Sequence, residues 1–324
     1  MRVLFATYPM AFHTPGGGEV QLLAYHKHLP AYGIDVSLFD PWNPHFLDHD
    51  IVHFFSCIGG SVNFCQFIKK LGLPLIVSAS LWITHETKHL YPIDEIRSQL
   101  DLSDRVIANS DIECDTLSEV LNISREKFTT VYNGVEDFFF QTSDPELFRK
   151  HYGVEGRFIL NVGNIEPRKN QLRLVEAIKS LSGIKLVLIG YPRDPEYLDQ
   201  VKRMGGEKVI YLGAIPHESP LLRSAYKACT LFALPSMLET PGLAALEAAA
   251  QGAPLLVTRE GSCSEYFDNN AIYIDPLSIE SIKQGVRKAF DNAPINLNPN
   301  RIEKFMWMNT VKDLTKAYKE LLRN

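Results

Sequence analysis

Cysteine is scarce in this chain of 324 residues, and the cysteines present are not arranged for disulfides or for zinc. They are odd in number, scattered along the chain and without C-x-x-C spacing: Cys57, Cys65, Cys114, Cys229 and Cys263. A disulfide framework and a structural zinc site are therefore not expected. This usage is typical of a reducing compartment, so we expect a cytoplasmic protein.

Long hydrophobic runs are also lacking. No apolar run approaches the roughly 18 residues that a helix needs to cross a bilayer. The chain begins with a single Arg2, a short apolar run and then polar residues, which is typical of a buried strand rather than a signal peptide. We expect at most peripheral contact with a membrane, at its inner face.

A surplus of positive charge is missing as well. Residues 1–140 hold 9 Lys and Arg against 17 Asp and Glu, a net charge of −8, and the remainder holds 24 against 21, a net charge of +3. Nucleic acid presents dense negative charge, so no nucleic-acid partner is expected. Strong attraction of the first half to anionic lipid is not expected either.

The glycine-rich stretch "TPGGGEVQLL" (14–23) lacks part of a dinucleotide fingerprint. The G-x-G-x-x-G pattern needs three glycines, whereas Gly16 and Gly18 are followed by Gln21 in the third place. Eight residues also separate the first apolar run from these glycines, where the fingerprint wants an immediate turn. Binding of a dinucleotide at this stretch is therefore not expected. A flexible loop that only caps a helix is the alternative for this stretch.

Short β-branched and aromatic runs alternate with helical patterns from end to end, which predicts an α/β fold with parallel sheets. The predicted strands form two series, 2–7, 35–39, 51–55, 74–79, 105–109 and 128–132, then 157–163, 185–190, 208–213, 230–236 and 254–258. Candidate helices between them are 19–29, 62–71, 111–121, 171–181, 221–229 and 242–251.

The length of the chain predicts two domains. The polar stretch 141–156, which carries Pro and Gly, is the predicted linker. We predict an N-terminal domain over 1–145 and a C-terminal domain over 155–300. Two such sheets would put the ligand crevice outside the carboxyl ends of the strands, and therefore between the domains.

The segment "PSMLETPGLAALEAAAQGAPLLVT" (235–258) combines a helix start with two glutamates. Pro241 suits the first helical position, so Glu239 would lie in the loop before the helix and Glu247 would face out of it about a turn and a half later. A helix start with unsatisfied N–H groups is an anion site. Glutamates near a helix start also favour the helix dipole, which is the purely structural alternative.

A second segment, "VGNIEPRKNQLRLVEAI" (162–178), places two cations before a helix. Arg168 supplies a planar fork for phosphate oxygens, and Lys169 supplies a compact point charge. A solvated surface pair is the alternative. Because both segments follow strands of one predicted sheet, they indicate a diphosphate site at the same sheet edge.

With these residues in view, the chain resembles the retaining glycosyltransferases of family 4, which have the GT-B architecture. "ETPGLAALE" fits their E-x7-E motif, and "GNIEPRKN" looks like their donor-phosphate loop. "YNGVEDFFF" (132–140), "GSCSE" (261–265), "DIVHFF" (50–55) and "PGGGEV" also fit, in the order of the family. The resemblance implies two Rossmann-like domains whose parallel sheets face each other across a cleft. It also implies a final helix near 301–322, so that 301–324 would complete the N-terminal domain.

For the C-terminal domain, the resemblance implies a donor site. Glu239 would contact hydroxyls of the donor sugar, and Glu247 the ribose of the nucleotide. Arg168 and Lys169 would hold the diphosphate. Backbone groups would assist them, at Gly163, Gly242 and Leu243.

For the N-terminal domain, the resemblance implies a loop that approaches the donor phosphates and the acceptor. Gly17 and Gly18 would make that approach possible, with Gly16 and Ser80 on the acceptor side. Many relatives carry a His where this chain has Ser80, so His85, in "SLWITHE", is the candidate to contact the sugar or the acceptor. Many relatives also carry an Arg where this chain has Asn164.

A metal ion is not expected. "DHD" (48–50) matches the D-x-D pattern of metal-dependent glycosyltransferases, but it precedes the predicted strand 51–55 and so falls at the wrong edge of the sheet. Arg168 and Lys169, with the helix start at Gly242, would balance the charge of the diphosphate instead.

The sequence thus predicts a hexosyltransferase that moves a sugar from a nucleotide diphosphate donor to a hydroxyl of a glycan or lipid-linked acceptor, in polysaccharide or glycoconjugate synthesis. No cofactor is expected beside the donor, for which GDP-mannose is the first candidate and a UDP-sugar the second. A nucleotide-sugar epimerase with a GT-B-like fold and a non-catalytic sugar-nucleotide-binding subunit are the alternatives.

Overall fold

The structure, a computed structural model, describes residues 1–13, 15–291 and 299–323. Thr14, residues 292–298 of the predicted second domain and Asn324 at the end of the chain lie outside the described residues. The chain divides into two compact units. Unit 1 comprises Met1–Gly134 and Phe305–Asn324, and unit 2 comprises Val135–Lys304.

Unit 1 is built on a parallel sheet of six strands in the order β2-β1-β3-β4-β5-β6. The strands are β1 (Arg2–Thr7), β2 (Asp35–Leu38), β3 (Ile51–Phe55), β4 (Leu75–Ser78), β5 (Arg105–Ala108) and β6 (Phe128–Thr130). Its helices are α1 (Gly17–His28), α2 (Val62–Lys70), α3 (Ile93–Leu102), α4 (Asp111–Leu121) and, after unit 2, α13 (Trp307–Leu321). Every residue of β3 and β4 is buried, as expected for central strands covered by helices on both faces.

Unit 2 repeats this architecture with the strand order β12-β11-β10-β7-β8-β9. The strands are β7 (Phe158–Val162), β8 (Lys185–Ile189), β9 (Val209–Tyr211), β10 (Leu231–Leu234), β11 (Leu255–Thr258) and β12 (Ile272–Ile274). The helices are α5 (Pro145–Tyr152), α6 (Gln171–Ile178), α7 (Pro195–Gly205), α8 (Pro220–Ala228), α9 (Leu243–Ala250), α10 (Cys263–Phe267), α11 (Ile279–Asp291) and α12 (Pro299–Glu303). The predicted fold class, α/β with two Rossmann-like units on parallel sheets, is confirmed.

Short 3-10 turns connect many of these elements. They are Ala11–His13, Leu29–Tyr32, Phe46–Asp48, Lys88–Leu90, Arg125–Lys127, Asp137–Phe140, Pro167–Lys169, Gly206–Lys208 and Asp268–Asn270. The turn Pro167–Lys169 carries both cations that the sequence predicts to bind phosphate.

The stretch 141–156, predicted to be a linker, does not connect the two units in the structure. It contains α5, and it lies inside unit 2 because the division between the units falls after Gly134. Asp144 accepts a hydrogen bond from the Glu146 N–H, and Pro145 follows it as the first helical residue, so a helix starts within a polar stretch. Phe148 is fully buried and anchors this helix to unit 2.

The end of the chain also differs from the single final helix predicted near 301–322. The helix α12 ends at Glu303 and α13 begins at Trp307, because the chain passes from unit 2 into unit 1 after Lys304. The ring of Trp307 packs edge-on against Tyr25 of α1, with 5.7 Å between the ring centroids. Gly134 makes room for this ring, since a Cβ atom there would lie 2.5 Å from Trp307 Cδ2.

Candidate active site

The strand order of unit 2 brings together the two segments that the sequence predicted to bind a diphosphate. β7 and β10 are neighbours, and the chain proceeds outward from them in opposite directions, so the point of reversal lies between these two strands. Ligands of open parallel sheets bind outside the carboxyl ends of the strands at such a point. The loop 163–170 follows β7 and the loop 235–242 follows β10, so both lie at this edge.

Backbone and side-chain hydrogen bonds join the two loops. The Met237 N–H donates to the Arg168 carbonyl oxygen at 2.8 Å. The Asn170 amide nitrogen donates to the carbonyl oxygen of Pro235 at 2.9 Å. These two hydrogen bonds fix the positions of Arg168 and Lys169 relative to the second loop.

Lys169 and Glu239 form a buried ion pair across these loops. Lys169 Nζ donates to Glu239 Oε1 at 2.6 Å, and the two side chains are only 13% and 6% exposed. Arg168 is half exposed, and its Nη1 lies 3.9 Å from the same carboxylate oxygen. One carboxylate therefore faces two cations, of which Arg168 is open to solvent.

The Glu239 carboxylate is held in its ionised form. Burial alone would raise its pKa, but the charges of Lys169 and Arg168 outweigh burial and the pKa lies below its ordinary value. An ionised carboxylate accepts hydrogen bonds and donates none, so Glu239 is suited to accept hydrogen bonds from ligand hydroxyl groups.

The "GSCSE" segment holds the backbone of Glu239. Glu239 forms an isolated β-bridge with Gly261. Its N–H donates to the Glu260 carbonyl oxygen at 3.2 Å, and its own carbonyl oxygen accepts from the Ser262 N–H at 3.0 Å. Three segments singled out in the sequence thus meet around one glutamate.

The start of α9 lies beside the Glu239 carboxylate, whose Oε2 would be 3.1 Å from a Cβ atom on Gly242. Gly242 precedes Leu243, the first helical residue, with φ of +84°, a conformation that favours glycine. No side chain caps this described helix start, and no acidic residue lies in its first turn. The first N–H groups of a helix attract anions, so the helix start adds to the positive field of the neighbouring cations.

The prediction that Glu247 faces outward from α9 is wrong. It is 7% exposed, because two donors from elsewhere in unit 2 cover its carboxylate. The Tyr226 hydroxyl donates to Oε2 at 2.6 Å, and His217 Nε2 lies 2.8 Å from Oε1. Burial lowers the pKa of His217, but the hydrogen bond and charge of Glu247 outweigh it, and the pKa is raised.

Arg193 is a further basic residue at this edge that the sequence did not single out. It follows β8, and its Nη1 lies 3.3 Å from Glu166 Oε2, while Arg168 Nη2 lies 3.3 Å from Glu166 Oε1. The cluster of Arg168, Lys169 and Arg193 with Glu166 and Glu239 carries a formal net charge of +1. Arg193 could have been identified from the sequence, because it follows β8, the strand that comes after β7 along the chain.

Gly163, at the end of β7, donates its N–H to the Ile189 carbonyl oxygen at 2.9 Å, which fixes the beginning of the loop that carries the cations. Asn164 follows it and supplies a backbone carbonyl oxygen to the Gln171 side chain at 3.0 Å. The positive charge of this loop comes from Arg168 and Lys169.

Some of the site residues predicted in unit 1 line a cavity in that unit. A cavity of about 190 Å³ is found at the carboxyl ends of β1, β3 and β4, and Gly18 and Ser80 line it. Gly16 precedes α1, and Gly17 is its first residue. His85 does not line this cavity, and its exposed side chain instead lies 3.2 Å from Glu119 Oε1.

The D-x-D pair lies at the amino end of β3, as its position in the sequence predicts. Asp50 directly precedes β3, and its Oδ2 accepts from the Arg2 N–H at 2.7 Å. Across residues 1–13, 15–291 and 299–323, no group of three or more His, Cys, Asp or Glu side chains is arranged to hold a metal ion. None of the helices in these ranges combines the length and apolar character of a membrane span.

Comparison with known proteins shows what unit 2 is similar to. Residues 144–304 match the family model of glycosyl transferases group 1. An uncharacterised glycosyltransferase of Methanocaldococcus jannaschii is 27% identical over 224 residues, which cover 63% of this chain and 57% of that protein. D-inositol 3-phosphate glycosyltransferase of Mycolicibacterium smegmatis is 25% identical over 293 residues, covering 83% of this chain and 67% of that protein. The chain thus spans little more than half of the first relative and about two thirds of the second.

Solved structures show the same fold over the whole chain. Sucrose-phosphate synthase of Thermosynechococcus elongatus superimposes with a TM-score of 0.85 at 16% identity, and the match covers 100% of both chains. HepE of Anabaena, solved in complex with UDP-glucose, gives a TM-score of 0.79 at 19% identity and covers 99% of this chain and 100% of that one. The fold is therefore GT-B.

Proposed function

We propose, from the match of residues 144–304 to the model of glycosyl transferases group 1, that the protein is a hexosyltransferase that uses a nucleotide diphosphate sugar. Unit 2 binds the donor and unit 1 binds the acceptor, a hydroxyl group of a glycan or a lipid-linked glycan. Transfer proceeds with retention of configuration, as in family 4. The reaction belongs to polysaccharide or glycoconjugate synthesis in the cytoplasm or at the inner face of its membrane.

The observation that carries this proposal is the Lys169 and Glu239 pair at the point where the strand order of unit 2 reverses. When the bond between sugar and diphosphate breaks, negative charge develops on the diphosphate. Cations and helix N–H groups fixed beforehand stabilise such charge without reorganising. Arg168, Lys169 and the start of α9 supply these groups at one sheet edge, without a metal ion.

The two glutamates have different roles in this proposal. Glu239, ionised beside the cations, accepts hydrogen bonds from hydroxyls of the donor sugar and orients its reacting carbon. Glu247 accepts from the ribose hydroxyls, using lone pairs that Tyr226 and His217 leave unoccupied, since a carboxylate has about four acceptor sites. Gly163, Gly242 and Leu243 contribute backbone groups near the diphosphate.

Two observations bear on the base and the sugar of the donor. The loop "IEPRKN" is similar to that of many mannosyltransferases, which favours GDP-mannose. HepE, which shares the fold, binds UDP-glucose, which favours a UDP-sugar. A panel of both classes is therefore the first experiment. A ligand at 100 times its Kd should add about 2.7 kcal/mol of stability, which a thermal-shift assay detects readily.

Three variants test the roles of the glutamates. Glu247→Ala should weaken binding of free nucleotide and nucleotide sugar alike, whereas Glu239→Ala should spare free nucleotide and depress turnover. Glu176→Ala, on the exposed face of α6, is the control for an equal change of charge. Equal and small effects of Glu239→Ala and Glu247→Ala on every ligand would contradict the proposal and leave only helix capping.

Incubation with and without acceptor separates transfer from other activities. Transfer requires both the donor and an acceptor panel and releases free nucleoside diphosphate. Conversion of the donor sugar in the absence of acceptor would indicate an epimerase instead. Donor binding without turnover on any acceptor would indicate a non-catalytic binding subunit.

A further inference from the structure

The cavity in unit 1 is the right size and in the right place for one ring-sized group. We call it the unit 1 cavity, lined among others by Tyr8, Glu19, Leu22, Phe55, Ser56 and Ser80. It lies where β1 and β3 end, which is the point of reversal in the strand order of unit 1. Its volume of about 190 Å³ is below the ~300 Å³ at which pockets for drug-sized ligands begin.

The lining combines apolar surfaces, hydroxyl groups and a single charge. Phe55 and Leu22 offer apolar surface, and Tyr8, Ser56 and Ser80 offer hydroxyls. Among the described residues that line the cavity, Glu19 is the charged one. The described lining therefore includes one acidic residue and no Lys, Arg or His.

Glu19 also changes the character of the adjacent helix start. Its Oε2 accepts a hydrogen bond from the Gly16 N–H at 2.6 Å, so a carboxylate already occupies the N-terminus of α1. The start of α9 has neither a side-chain cap nor an acidic residue in its first turn. A phosphate brought to α1 would meet the Glu19 carboxylate without a neighbouring cation in the lining of the cavity, whereas at α9 the Glu239 carboxylate is compensated by Lys169 and Arg168.

Ser80 is oriented as a hydrogen-bond acceptor. Its hydroxyl donates to Gln21 Oε1 at 3.2 Å. Gln21 in turn is fixed by the oxygens of Asn109 and Asn133, to which its Nε2 donates at 2.6 and 2.7 Å. Its oxygen also accepts from Asn109 Nδ2 at 3.5 Å, so Ser80 keeps one acceptor position for a ligand. Glu19 and Ser80 therefore both favour a ligand group that donates a hydrogen bond. A sugar hydroxyl donates one, and a phosphate dianion does not.

We infer that the unit 1 cavity binds an uncharged, hydroxyl-bearing ring, such as an unphosphorylated sugar, and rejects the same ring when it carries a phosphate. This inference rests on the proposed function, in which unit 1 binds the acceptor. It departs from the expectation that Gly17 and Gly18 approach the donor phosphates. It also separates this chain from its relative in Mycolicibacterium smegmatis, which is named for D-inositol 3-phosphate.

The test compares neutral rings with their phosphates by ligand-observed NMR. The probes are methyl mannoside, methyl glucoside and inositol, each beside its monophosphate, with saturating UDP and GDP present so that unit 2 is occupied. We expect at least one neutral probe to bind at least 10-fold more tightly than its phosphate. Phosphates that bind as tightly as their neutral partners, or a panel in which no neutral ring binds, would overturn the inference.

Two variants in the cavity and one control outside it test whether the cavity causes the discrimination against phosphate. Glu19→Gln should reduce the discrimination against phosphate about 10-fold, because it removes the like charge and adds a donor. Glu126→Gln makes the same charge change in the turn before β6, at the opposite sheet edge, and should leave the discrimination unchanged. Ser80→Ala should weaken the neutral probe about 3- to 10-fold, the size of one hydrogen bond.

The outcomes also separate this inference from the proposed function. If the proposed function fails, UDP and GDP do not bind and no sugar is transferred. If only this inference fails, both nucleotides bind while the cavity accepts phosphates, or the preference persists in Glu19→Gln. Unchanged discrimination in Glu19→Gln would overturn the assignment of Glu19.

Discussion

Replacing Lys169 by methionine removes an ammonium group and keeps most of the side-chain volume. In the structure its Nζ lies 2.6 Å from Glu239 Oε1, and the two side chains are 13% and 6% exposed. Removing one partner of a buried pair leaves an uncompensated charge, at a cost of about 3–5 kcal/mol. Arg168 Nη1, 3.9 Å from the same oxygen, retains part of the compensation, so we expect about 3 kcal/mol, the lower end of this range.

The same variant should lower kcat about 100-fold, the scale of losing one electrostatic stabiliser of the transition state. Urea unfolding followed by circular dichroism measures the stability, and release of nucleoside diphosphate measures turnover. Lys169→Arg is the control that keeps the charge. In a double-mutant cycle with Glu239→Gln, the double variant should be less destabilised than the sum of the single variants. Strictly additive effects, or a loss below about 1 kcal/mol in Lys169→Met, would refute the reasoning from the buried pair.

Three further predictions follow from the site. The pKa of His217 is raised, since the hydrogen bond and charge of Glu247 outweigh burial, so its stabilisation should be complete below its ordinary pKa of 6.5 and be lost as the pH rises through the raised value; the unfolding free energy of His217→Gln should lack this pH dependence. Activity should survive EDTA, and Asp48→Ala should be nearly silent; activity abolished by EDTA and restored by manganese would contradict our account of the diphosphate site. His85→Ala should leave kcat/KM unchanged, because His85 lies against Glu119, and a 10-fold drop would instead support His85 as the residue that contacts the sugar or the acceptor.

The two-sheet fold could be predicted from the sequence because buried parallel strands are short, nearly continuous apolar runs. The run 51–55 became β3 with the predicted bounds, and 111–121 became α4. The strand β12, Ile272–Ile274, was not predicted. The helix α5 was missed because its polar composition resembles a linker, although Asp144 and Pro145 are typical of a helix start.

The site could be predicted in part. The sequence indicates that Lys169 and Glu239 each follow a strand, but their contact depends on β7 and β10 being neighbours, which the order of strands along the chain does not reveal. The burial of Glu247 depends on Tyr226 and His217, which come from separate segments with no signal of their own. Contacts of this kind arise from tertiary packing, so periodicity and motif spacing do not predict them.

Hydrogen exchange with and without UDP or GDP is the most direct test of the central claim, that the diphosphate is held where β7 and β10 end. The account predicts increased protection of the backbone N–H groups in 163–170 and in 235–247, which include the Lys169 and Glu239 loops and the start of α9. The protection in 163–170 should weaken in Lys169→Met. Binding of either nucleotide with no change of protection in these two segments would contradict the account.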